Sequence, residues 1–219
     1  MLKTKDICNK LNLLATSLKQ LFPHGSLTLN HNNDPYKMYV LIVLSAQTND
    51  KIVNRVADKF FQRFPDWKTL SSASVEEVYQ LIKSIPFAKQ KAIRLIKGAK
   101  IVLERFNGQL PCDRDSLLQI PGIGDKSASY ILVYLCGKNE LVLDTHAIRI
   151  LKRYLGIETK DIVKTRKQLQ SQCPDVDFKT LSLCLPQFGR EICIARKPKC
   201  NICPVRFHCD SFSKRRTVI

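Results

Sequence analysis

Residues 117–128 read Leu117-Leu118-Gln119-Ile120-Pro121-Gly122-Ile123-Gly124-Asp125-Lys126-Ser127-Ala128. Helix-forming residues stand on both sides of a Pro-Gly-Ile-Gly break. The stretch therefore predicts two helical segments, Leu117–Gln119 and Lys126–Leu135, joined by a hairpin. Gly122 and Gly124 permit backbone angles closed to other residues, and they keep side chains off a surface that another backbone approaches. The amides of Gly122, Ile123 and Gly124 lie at the start of the second helix. Unpaired amides at the positive end of a helix dipole suit a phosphate oxygen. The alternative is a tight interhelical turn without a ligand.

Outward from the hairpin the pattern stays helical. Ile7, Leu11, Leu14, Leu18 and Leu21 recur at three- and four-residue steps and predict a first helix. A polar loop over residues 25–33 follows, and Asp34-Pro35 supplies an acidic cap and a first-turn proline. The helix predicted over Tyr36–Ala46 is apolar on every side from Tyr39 to Leu44, which places it at the centre of a bundle. Pattern alone does not separate that run from a buried strand. Lys51–Phe64 carries Ile52, Val53, Val56 and Phe60 on one face. Ser74 and Glu77 form a capping box ahead of Val78, Leu81 and Ile82. Ala88–Phe106 is strongly amphipathic, with its six Lys and Arg residues expected on the wet side. Further helices are predicted over Thr145–Tyr154, Asp161–Gln172 and Lys179–Leu185. Strand alternation, internal repeats and low-complexity linkers are absent, so the expected fold class is all-α.

A chain of 219 residues is one large or two small domains and buries roughly 70% of its unfolded surface. Its 36 Lys and Arg against 19 Asp and Glu leave a net charge of +17, which points to a polyanion, nucleic acid first. No run of about eighteen apolar residues occurs, so no membrane partner is expected. Residues 1–22 lack a signal-peptide core, and the expected compartment is the cytoplasm. On that ground Cys8, Cys112, Cys136, Cys173 and Cys184 are expected to be reduced core residues.

The other four cysteines are spaced Cys193-x6-Cys200-x2-Cys203-x5-Cys209. Four thiolates in so short a segment suit one [4Fe–4S] cube, each iron taking a sulfur from a different direction. Structural zinc is the competitor, but zinc modules bring their cysteines as two close pairs, and only Cys200 and Cys203 make such a pair.

The hairpin resembles the helix-hairpin-helix motif, with Ile120 where Leu is common. Asp144, in Leu141-Val142-Leu143-Asp144-Thr145-His146, stands eighteen positions after Lys126. Leu44-Ser45-Ala46-Gln47 and the loop from Cys193 to Cys200 complete a set of four motifs in order. Together they resemble the endonuclease III family of helix-hairpin-helix DNA glycosylases with an iron–sulfur cluster, over nearly the whole chain. The resemblance implies two helical lobes. A six-helix barrel over residues 28–138 would carry the hairpin, and residues 1–27 would join 139–219 around the cluster.

The same resemblance implies a bifunctional DNA glycosylase and abasic-site lyase, acting as a monomer on double-stranded DNA that carries a damaged base or abasic site. Oxidised pyrimidines are the implied lesions. Lys126 would be the amine that forms a Schiff base at the sugar C1′; the positive end of its helix disfavours a cation there. Asp144 would be the carboxylate partner, unless it only caps the helix at His146. His146 is expected to cap or to support from behind. Gln47 would contact the orphaned base and Phe87 would wedge between base pairs. Gly122, Ile123 and Gly124 would hold phosphate, as would Arg196, Lys197 and Lys199 between the first two cluster cysteines. Two positions depart from the family pattern: Asp125 beside the amine, and Pro86 where glycine is usual.

Two alternatives compete. One is a monofunctional glycosylase for another damaged or mismatched base. Adenine-excising relatives usually have another residue in place of Lys126 and a carboxylate on the buried helix, and Tyr36–Thr48 has none. The other is a non-catalytic iron–sulfur DNA-binding protein, for which Lys126 and Asp144 would be incidental.

Overall fold

The computed structural model describes residues 4–23, 25, 34–157 and 160–216; most of the polar loop expected over 25–33 lies outside the described residues. Among the described residues every regular element is a helix. The chain divides into two compact units, residues 27–136 and residues 1–26 with 137–219. The first helix, α1 (Thr4–Leu21), belongs to the second of these and buries Leu11, Leu14, Ala15 and Leu18 along one stripe.

The unit over 27–136 is built around α2 (Pro35–Ser45). Asp34 accepts hydrogen bonds from the amides of Tyr36 and Lys37, and Pro35 takes the first turn, as an N-terminus of this kind requires. Met38 to Leu44 are all buried, so α2 is a central helix and not a strand. Truncating one such leucine to alanine costs about 2–5 kcal/mol. Around it lie α3 (Asp50–Arg63), α4 (Trp67–Ser71), α5 (Val75–Ile82), α6 (Ala88–Phe106), α7 (Arg114–Leu118) and α8 (Asp125–Tyr134). The capping box at Ser74 and Glu77 starts α5. A second box at Asp66 and Thr69 starts the short α4, which periodicity did not reveal because five residues are too few for a stripe.

Tyr39 connects the layers. Its hydroxyl lies 2.8 Å from the carbonyl oxygens of both Arg94 on α6 and Pro121 in the hairpin. Burial pushes its ionisation well above the ordinary phenol range, so it stays a donor. Gly98 makes this approach feasible, since a Cβ there would stand 1.8 Å from the Tyr39 oxygen.

Two expectations are corrected in this unit. Lys91 is not on the wet side of α6: it is 2% exposed, on the stripe of Ala88, Ala92 and Leu95. Cys112 and Cys136 are joined as a disulfide with Cα atoms 5.7 Å apart. In the other unit Cys8 and Cys173 are likewise bridged, at 5.3 Å. These separations lie within the reach of a disulfide, and a compartment argument made from composition cannot see them. Only Cys184 of the five is a buried free thiol.

The second unit continues with α9 (Thr145–Leu155), α10 (Ile162–Gln172), α11 (Phe178–Glu191) and α12 (Asp210–Arg216). Helix α11 runs past the expected end at Leu185 and through Pro186. An interior proline costs about 3 kcal/mol; burial of Leu185 and Phe188 on the continuing face offsets it. The segment over residues 140–143 that leads to α9 is pinned by buried Ser182. Its hydroxyl accepts from the Val142 amide and donates to the Glu140 carbonyl, both at 2.8 Å.

Candidate active site and nucleic-acid interface

The hairpin turns at Gly122, whose φ of +94° falls in the region that favours glycine. A Cβ on Gly122 would also meet the Val43 side chain of α2 at 2.7 Å, so the residue is required twice over. At Gly124 a Cβ would meet nothing within 4 Å, which leaves open space in front of α8. Gly124 is the N-cap and has no side chain to satisfy the first turn, so this end is open to an anion. Ile123 serves from inside: its side chain is buried and its amide donates to the Ile120 carbonyl at 3.0 Å.

Lys126 stands in the first turn of α8, exposed. Its neighbour Asp125 is tied off from the other side, since Arg114 of α7 donates to its carboxylate at 2.7 Å and to its backbone carbonyl at 3.1 Å. The departure at Asp125 thus has a local partner eleven residues upstream.

Asp144 is the N-cap of α9, accepting from the Ala147 amide at 2.7 Å through one carboxylate oxygen. Capping occupies that oxygen only, so the carboxylate keeps acceptor capacity for chemistry. His146 is not the cap. It packs against Gly189 of α11, where a Cβ would stand 2.6 Å from its Nδ1, and that nitrogen lies 3.1 Å from Arg149.

Four described residues other than glycine have positive φ: Gln47 at +55°, Phe87 at +59°, Asn107 at +50° and Lys197 at +53°. Three of the four are positions singled out from sequence for DNA contact. Such backbone costs about 1–3 kcal/mol and collects at binding and catalytic sites. Gln47 is exposed beyond the end of α2. Phe87 is the N-cap of α6 and 60% exposed, although aromatic side chains of this size are usually buried. Ile85 is buried and Pro86 exposed, so the loop holds Phe87 outward despite the departure at Pro86. Arg196, Lys197 and Lys199 are all exposed.

Cys193, Cys200, Cys203 and Cys209 are unbridged and line one cavity with Leu14, Ile150, Tyr154, Phe188 and Val205. Burial pushes the Cys203 thiol up to about 11, and the charges of the three other cysteines add to that; holding all four as thiolates would take a cationic centre. Four thiolate donors around one cavity are the ligand set that a [4Fe–4S] cluster takes. Two arginines that sequence reading missed hold this loop by its carbonyls. Arg149 donates to Cys193 at 3.0 Å, as well as to Gly189 of α11 at 2.8 Å, and Arg153 donates to Ile194 and Ala195, each at 2.7 Å. Their four-residue spacing on α9 was the available signal.

Residues 40–175 match the model of the HhH-GPD superfamily of base excision DNA repair proteins. Residues 193–209 match the iron–sulfur binding domain of endonuclease III. Endonuclease III of Bacillus subtilis is 36% identical over 197 residues, 89% of each chain.

The chain belongs to the endonuclease III family. It is a base excision repair glycosylase that binds DNA and carries a [4Fe–4S] cluster. The thymine/uracil-DNA glycosylase of Pyrobaculum aerophilum is 34% identical over 194 residues, 84% of each chain. A solved structure of a trapped endonuclease III–DNA covalent intermediate matches with a TM-score of 0.83 at 29% identity, over 99% of this chain and 100% of that one. No helix among the described residues is long and apolar enough to cross a membrane.

Proposed function

We propose that this endonuclease III family member is bifunctional, excising oxidised pyrimidines from double-stranded DNA and then nicking the strand. The observation that carries the reading is Lys126: exposed at the open start of α8, with the adjacent carboxylate of Asp125 held by Arg114. The Lys126 amine attacks C1′ of the flipped nucleotide and the C1′–base bond breaks. The base departs with the bonding pair and takes up a proton; the resulting aminal then opens its C1′–O4′ bond, O4′ taking a proton as a hydroxyl, and leaves an iminium between lysine and the ring-opened sugar. The iminium acidifies the C2′ proton; its loss to a base breaks the C3′–O bond and releases the 3′ phosphate. Asp144 stabilises the cationic sugar and helps to deprotonate the amine.

Gln47 and Phe87 fill the space that the base leaves. Gly122, Gly124, Arg196, Lys197 and Lys199 hold phosphates, and Ile123 steadies the hairpin from within. Cys193, Cys200, Cys203 and Cys209 would hold the cluster, which supplies a rigid frame for the basic loop.

The likeness to a thymine/uracil-DNA glycosylase supports a second reading, base removal without a lysine adduct. One experiment separates the two. Wild type, Lys126→Ala and Asp144→Asn are incubated with duplexes carrying thymine glycol, an abasic site or a G·T mismatch, with and without borohydride. The expected result is a covalent adduct and nicking on thymine glycol in wild type, both lost in Lys126→Ala. Asn keeps the helix cap, so Asp144→Asn should fold normally yet lose roughly 10²–10⁴-fold in rate. Excision at G·T with no adduct on any substrate would overturn the bifunctional reading.

A further inference from the structure

Lys91 is a lysine in the barrel core, at 2% exposure. Its ammonium donates to the carbonyls of Leu44 at 2.8 Å and Ala46 at 2.7 Å, and to the Thr48 hydroxyl at 2.8 Å. An ammonium has three N–H groups and no acceptor, so donors and acceptors match one to one. The acceptors bracket Gln47 on both sides and include the final carbonyls of α2, where a cation suits the helix dipole. Through its backbone the same residue reaches the other tip, because the Lys91 amide donates to the Phe87 carbonyl at 3.0 Å and closes the first turn of α6.

We propose that Lys91 is a positioning residue that ties the Gln47 tip to the Phe87 tip, so that the two enter the duplex as one rigid pair. The inference rests on the reading of Gln47 and Phe87 as inserting groups. Both tips are held in left-handed backbone, a conformation that persists only where the surroundings over-determine it. An apolar chain of the same length would avoid burying a charge, but it would take a donor away from the Leu44 and Ala46 carbonyls. Burial, and then the charge of Arg94, push the Lys91 ammonium down to about 8. The fold therefore tolerates a costly cation at a residue whose side chain and backbone together reach both tips.

The test is a double-mutant cycle in the cluster-loaded enzyme, using Lys91→Met and the tip-less pair Gln47→Ala/Phe87→Ala. Excision is measured on thymine glycol paired with adenine and on the same lesion facing a one-nucleotide gap, where no base pair has to be opened. Displacing positioned groups by an ångström costs on the order of 100-fold. Lys91→Met is expected to lower kcat/KM by about that factor on the paired duplex, to change the gapped substrate little, and to cost little more in the tip-less background. Equal losses on both substrates, or the same loss with and without the tips, would make Lys91 only a support of the barrel and overturn the proposal. Normal excision by the tip-less protein would instead overturn the reading of Gln47 and Phe87, and the proposal with it. Thr48→Val, which removes one acceptor, should show the same substrate selectivity at smaller size and serves if Lys91→Met does not fold.

Discussion

In residues 27–136 the shape is held by a helix with almost no outside, and side chains from α2 to α8 close around it. Between Cys193 and Cys209 only Val205 is buried, Ile202 and Phe207 are 59% and 62% exposed, and the regular structure is two three-residue 3-10 turns. The first region stores its stability in many apolar contacts of similar size. The second has too little apolar surface to organise itself, and rests on four sulfurs, two arginines and whatever fills the cavity between the cysteines. Loss of one contact should therefore be graded in the first region and abrupt in the second.

The largest effect should come from Cys203→Ser. Structural metal sites contribute roughly 10–16 kcal/mol, a scale that no single core contact reaches. The variant is expected to lose its visible cluster absorbance and to be cleaved within residues 193–209 by limited proteolysis, while helical circular dichroism from the barrel remains. Unchanged protease resistance in a cluster-free protein would break the contrast.

On the barrel side Gly98→Ala pushes a methyl into the Tyr39 hydroxyl. Overpacking of this kind costs about 1–3 kcal/mol, and a displaced buried hydrogen bond adds about 1 kcal/mol. Urea denaturation should show that loss with cluster absorbance intact. Adding Tyr39→Phe should recover part of it, because the closest clash is with the oxygen. No loss in Gly98→Ala would mean that α6 can shift away from α2.

The smallest effect concerns charge. Arg166, buried in the cluster unit, is paired with Glu140 at 2.6 Å, whereas the acceptors of buried Lys91 are neutral. The Lys91 value near 8 lies below its ordinary 10.5, so between those pH values the unfolded chain binds more protons than the folded one. Stability from this site therefore rises with pH over that window and is lowest below it. The difference in Tm between wild type and Lys91→Met should move in favour of wild type from pH 8 to pH 10. A flat difference would show that burial does not penalise this cation.

Much of the fold was legible because its signals are local. Asp34-Pro35, the Ser74–Glu77 box and the Pro-Gly-Ile-Gly break each act within one helical turn, and each stands where it was read. Helix ends set by packing were not legible: α11 crosses Pro186 because Phe188 beyond it is buried, and that burial comes from a neighbour distant in sequence. Lys91 was assigned to the wet face because lysines usually lie there, although its spacing from Ala88 and Leu95 already marked the apolar stripe. Asp125 was read against Lys126 beside it, and its real partner was Arg114.

By itself the sequence determined the helical class, the hairpin with its lysine, the carboxylate at Asp144 and the four-cysteine loop. Those features depend on residue type and on spacings of a few residues, which the chain carries unfolded or folded. Only the tertiary structure decided which cysteines pair, which charges are buried, and that Gln47 and Phe87 share one anchor. These outcomes depend on distances between residues far apart in the chain, and such distances exist only once α2 is enclosed and its polar ends have found partners.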